Sequence, residues 1–174
     1  GSYALMWLPK EEMILKKTLR LLILILLPVL LTACGPTTPA KKALEVDVEA
    51  LLEQMADATK WEDMMSMNNK HLMNLYGIEE ADVTNFAGAM KTDGITADEV
   101  LILEAKDTET AEALVKKLQA RLKAKSNEAK DYLPAQYKVI EEAEILQKER
   151  YAVLLVSPKV EALLELWDDA VKTE

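Results

Sequence analysis

The sequence predicts an α+β fold. We expect a small antiparallel sheet of about four strands, readable as two ββα units, with helices on one face and preceded by N-terminal helices. Three observations predict it. Val100–Ala105 (VLILEA) and Tyr151–Val156 (YAVLLV) are short apolar runs bounded by turn residues. Each feeds directly into an amphipathic helical stretch. The apolar stripe of the first stretch, Ala111, Leu114, Val115, Leu118 and Leu122, recurs 49 residues on as Val160, Leu163, Leu164, Trp167 and Val171.

The elements follow in chain order within one globular domain, residues 46–174. Asp47 precedes Val48, Leu51, Leu52 and Met55, which share helical spacing, and its carboxylate suits an N-cap. A second helical stretch runs from Trp61 or Asn69 to Tyr76 and stops at Gly77, a natural C′ residue. Val83–Met90 reads as a strand of poor alternation, and Val100–Ala105 follows between Gly94 and Asp107. Asp107 or Thr108 opens the clearest helix, with Lys116, Lys117, Arg121 and Lys123 mostly on its polar side. Tyr137–Gln147 and Tyr151–Val156 read as two strands around a turn at Glu149 and Arg150. The second is apolar throughout and is expected to be central and well covered. Ser157-Pro158 supplies an N-cap and N1 proline for the last helix. On this reading Leu118 and Trp167 are equivalent inward positions, and Lys117 and Asp168 point outward.

Upstream of the domain, Leu21–Leu31 (LLILILLPVLL) is eleven residues without a polar side chain, preceded by Lys16, Lys17 and Arg20. A helix of that length covers about 16 Å, roughly half a bilayer core. A basic segment, a short apolar segment and small residues at a cut site make a secretory signal rather than a resident span. Leu31-Thr32-Ala33-Cys34 resembles the lipobox of bacterial lipoproteins. The resemblance implies that diacylglycerol joins the Cys34 sulfur and that a peptidase recognising Leu31, Thr32 and Ala33 cuts before Cys34. It also implies an anchored protein on the outer face of the cytoplasmic membrane of a Gram-positive-type cell. The bilayer is then a partner through acylated Cys34. Residues 13–33 are read as the signal peptide and 34–45 as the lipidated linker, in which GPTTPAKK resists helix. Residues 1–12 are set aside as a non-native or upstream extension, because a signal starting at Met13 is complete.

Composition narrows the chemistry. A net charge of −9 argues against nucleic acid, whose phosphates demand a basic face. One cysteine and one histidine exclude a disulfide framework and a Cys/His zinc site. His71 has no acidic orienter three or four residues away, so no nucleophile–base pair assembles around it. The acidic pairs Glu79-Glu80, Glu141-Glu142 and Asp168-Asp169 read as solvated faces in so acidic a chain. Met64, Met65, Met67, His71 and Met73 are soft ligands suited to Cu(I), but core packing by Met accounts for them more simply.

Leu75-Tyr76-Gly77-Ile78, Asp98-Glu99-Val100 and Tyr132-Leu133-Pro134-Ala135-Gln136-Tyr137 resemble a family of small Gram-positive lipoproteins, the domain of unknown function DUF4358. The likeness spans roughly Val46 to Val171 and implies a compartment and a fold, not a reaction. Glu149-Arg150 departs from it, standing where a glycine turn is expected. The favoured function is a binding or protein-interaction module of the cell envelope, its partner unidentified, with no cofactor, metal or catalytic residue assigned. The alternatives are a small envelope hydrolase using acidic residues and, behind it, a Met/His soft-metal binder.

Overall fold

A computed structural model describes residues 43–172, so Leu31, Thr32, Ala33 and Cys34 lie outside the described residues. Helix α1 spans Val48–Thr59, and the Ala50 N–H donates to Asp47 Oδ1 at 3.0 Å, the cap its sequence calls for. It ends on Lys60, which turns left-handed with φ 56°. The two-residue strand β1 (Met65–Ser66) leads into the short helix α2 (Asn69–His71), which widens into a π turn over Leu72–Tyr76. Gly77, at φ 63°, closes that turn by donating to the carbonyls of Leu72 and Met73. A left-handed residue is needed there, which is glycine's use at a C′ position.

Strands β2 (Val83–Met90) and β3 (Glu99–Ala105) form an antiparallel pair, and α3 (Thr108–Ala129) follows, capped by Asp107 through the Thr110 N–H at 2.7 Å. Helix α4 (Pro134–Glu141) precedes the hairpin β4 (Glu144–Lys148) and β5 (Tyr151–Val156), and α5 (Val160–Ala170) ends the described chain. The sheet is antiparallel throughout, in the order β1-β2-β3-β5-β4. The α+β class is as the sequence predicts, with β1 added as a fifth strand where the Met67 N–H donates to Gly88 O at 2.8 Å.

Three expectations are corrected. The helices do not share one face. Leu101 and Leu103 of β3 pack with Ala152 and Leu154 of β5 under α3, whereas Val100, Ile102, Val153 and Leu155 pack under α1 and α5. The reason is in YAVLLV itself: all six residues are buried, and successive strand residues point to opposite faces, so both faces need a cover. The strand–strand–helix order does occur twice, as β2-β3-α3 and β4-β5-α5, but Leu118 and Trp167 are buried in separate cores.

Tyr137–Glu141 is helix, not strand, with Pro134 at its first turn. Leu133, Tyr137 and Ile140 fall at i, i+4 and i+7 and pack together against the α3 core, a helical period that outweighs the β-propensity of the run. Ser157 does not cap α5 directly; its Oγ accepts the Lys159 N–H at 3.1 Å, and the helix starts after it.

Candidate functional site

Glu99 opens β3 on the sheet face that α3 crosses, and its side chain is fully buried. Along α3 the stripe that buries Leu114 and Leu118 continues into Arg121 and Lys125, which therefore arrive over Glu99. Arg121 grips the carboxylate bidentately, Nε to Oε1 at 3.0 Å and Nη2 to Oε2 at 2.8 Å. Lys125 Nζ donates to Oε2 at 2.9 Å. From the π turn, the Tyr76 hydroxyl donates to Oε1 at 2.5 Å, and the Arg121 guanidinium lies 5.7 Å from the Tyr76 ring centroid.

Burial by itself would raise the Glu99 pKa, but the Arg121 hydrogen bonds and the Lys125 charge outweigh it and hold the carboxyl below its ordinary value. Burial first, then the neighbouring Glu99 charge and hydrogen bond, push the Tyr76 phenol far above its own. A carboxylate has about four lone-pair sites, and Glu99 has a donor on each. Such a group is a fixed anchor rather than a proton shuttle.

Arg121 and Lys125, which hold the anchor, form part of the wall of a cleft of about 490 Å³. One side is the β2–β3 connection, with Lys91, Ile95 and Ala97; the other is the end of α3 and the start of α4, with Arg121, Lys125, Leu133, Gln136 and Ile140. Gln136 Oε1 accepts the Ala97 N–H at 2.8 Å and ties the two sides together. The connection is shaped by Asp93, whose Oδ1 accepts from the backbone of Ile95 and Thr96 while its Oδ2 takes the Thr96 hydroxyl. Asp98 faces a smaller cavity of about 120 Å³ beside Trp61 and Ser157, and burial raises its pKa.

The residues singled out from sequence do not converge here. Glu79, Glu80, Glu141, Glu142, Asp168 and Asp169 are all exposed, the solvated faces expected of them. Met67 is buried with its Sδ 3.8 Å from the Tyr76 hydroxyl, Met65 and Met73 are exposed, and His71 Nδ1 accepts the Asn68 N–H at 3.0 Å in a capping box. Among the described residues, no three His, Cys, Asp or Glu side chains are grouped to hold a metal. No described helix is long and apolar enough to cross a membrane.

Arg121, read as surface, is the clearest miss: its side chain is only 14% exposed. Two signals pointed to it. Arg121 and Lys125 continue the apolar stripe of α3 at 3.6-residue spacing, and Tyr76, Glu99 and Gln136 each sit in one of the three motifs that carry the family resemblance. Tyr76 and Glu99 meet beneath Arg121 and Lys125, while Leu133 and Gln136 line the cleft that these two cations face.

No curated protein and no solved structure matches the chain. The domain of unknown function DUF4358 matches residues 57–157. That span takes in all five strands, α3, α4 and every residue named around the cleft, and leaves out α5 and most of α1. With the whole sheet, the buried ion cluster and the cleft inside the matched segment, the chain belongs to the DUF4358 family.

Proposed function

We propose that this protein is a binding module of the cell envelope, tethered to the outer face of the cytoplasmic membrane by a lipid on Cys34, with the α3–α4 cleft as its ligand site. The observation that carries the binding role is the cleft. Its volume is in the range of small-molecule sites. Its polar wall is held rigid by hydrogen bonds that need no ligand to form. The acidic pairs Glu79-Glu80, Glu141-Glu142 and Asp168-Asp169 are exposed, and none of them lines it.

Two experiments test the two halves. A photocrosslinking residue at Ile95, 64% exposed on the cleft, is compared in intact cells with one at exposed Asp168 on α5. An adduct specific to position 95 supports the site; equal labelling, or none, overturns it. Cys34→Ala should leave the precursor uncut and without acyl label. Normal acylation of that variant would remove the anchor from the proposal.

A further inference from the structure

Resting on the reading of the cleft as a binding site, we infer that its ligand is a small amphipathic carboxylate, held by Arg121 and Lys125 through its anionic end. Arg121 and Lys125 both line the cleft, and together they face one buried carboxylate, Glu99. The other two charged groups of the lining are Lys91, which feels the nearby Asp93 and Asp98, and Glu128, which feels Arg121. At the wall itself two cations thus share one directly bonded carboxylate, in a chain whose net charge is −9.

Donors are left over on both cations. A guanidinium has five N–H groups and an ammonium three. Glu99 takes two from Arg121 and one from Lys125, and its own acceptor sites are filled by these and by Tyr76. Both cations are nearly buried, at 14% and 11% side-chain exposure, so an acceptor reaching them is only weakly screened by water. Two cations with one bonded carboxylate between them suit one further carboxylate. The rest of the lining, with Met90, Ile95, Leu133 and Ile140, suits an apolar body behind it. The Gln136 amide NH₂ can donate to a carbonyl of that body, since only its oxygen is used by Ala97.

The test uses the full chain in nanodiscs of zwitterionic lipid. N-acetyl-leucyl-leucine and octanoate are each titrated beside the matching amide, with hydrogen exchange of segments 91–97 and 121–140 as the site readout. At least one acid should bind about tenfold more tightly than its amide and protect both segments. The preferred acid distinguishes a peptide from an acyl source. Lys125→Gln should bring acid and amide together. Ile95→Asp, at an exposed position that leaves the core intact, should weaken the acid more than the amide, since both lose an apolar contact but only the acid meets a like charge. Acid and amide binding equally at the cleft would overturn the inference and leave the binding site standing. No protection by either acid also overturns it, and the Ile95 crosslink then decides separately whether the cleft binds anything.

Discussion

Glu99, Tyr76, Arg121 and Lys125 form a unit in which each member justifies the burial of the others. Removing one partner of a buried charged set leaves the rest uncompensated, which costs about 3–5 kcal/mol. Glu99→Gln should therefore lower stability by about that much in urea melts, because two cations lose their counter-ion. Tyr76→Phe removes a hydrogen bond to a charged acceptor and should cost about 1.5–3 kcal/mol. The pH dependence has a definite sign. Glu99 has a folded pKa below its ordinary 4.5, so its contribution is complete at neutral pH and is lost as pH falls through the folded value. Tyr76 is raised instead, so its contribution holds up to about pH 10 and declines above it. Melting midpoints across pH 2–11 should show both edges, and Glu99→Gln should flatten the acid one. Equal acid slopes in the two proteins would mean that other carboxylates dominate.

Gly88 shows how one strand accepts its neighbours. A Cβ there would meet Leu101 Cδ1 at 2.9 Å and both Met67 Sδ and Val100 O at 3.0 Å. Met67 and Leu101 have room to pack only because position 88 has no side chain. Gly88→Ala should cost about 1–3 kcal/mol and loosen β1, seen as faster amide exchange at Met67, whose N–H is bound to Gly88 O. The β4–β5 turn solves a different problem. Glu149 occupies a left-handed conformation at φ 48°, where glycine is the cheaper residue. The charged pair has other work. Glu149 Oε2 accepts the Leu44 N–H at 3.2 Å, and Arg150 binds Glu104 at 2.8 Å while lying 5.0 Å from the Tyr151 ring. Lys117, expected to be a free surface residue, donates to Gly77 O and pairs with Asp82, fastening α3 to the end of the π turn.

Residues Leu44–Glu174 make one compact unit in which a sheet separates two apolar layers. The family match stops at residue 157 and starts within α1, so it omits the helix α5 and most of its neighbour α1. Those two helices cover Val100, Ile102, Val153 and Leu155. A fragment of residues 57–157 should consequently expose an apolar sheet face and aggregate or melt without cooperativity, whereas residues 42–174 should unfold in one transition by circular dichroism. A cooperative fragment 57–157 would show that the second layer is dispensable. The two layers also predict independence: Leu118→Ala and Trp167→Ala, each costing about 2–5 kcal/mol, should add when combined, since they sit in separate cores.

Local chemistry alone determined a good deal of this protein. Asp47 and Asp107 cap their helices, Gly77 ends its turn, β3 and β5 form from their apolar runs, and the α+β class follows, because each depends on residues within a turn or a strand of one another. Tertiary structure decided what those elements were for. The face each helix covers depends on which side of the sheet is still bare, which spacing within the helix does not encode. Arg121 and Lys125 look like surface cations until β3 brings Glu99 beneath them, from 22 and 26 residues away. The cleft likewise joins the β2–β3 connection and two helices that lie far from it in the sequence. Charge and burial become a site only when distant segments close around them, and that closure is a property of the packed sheet and helices.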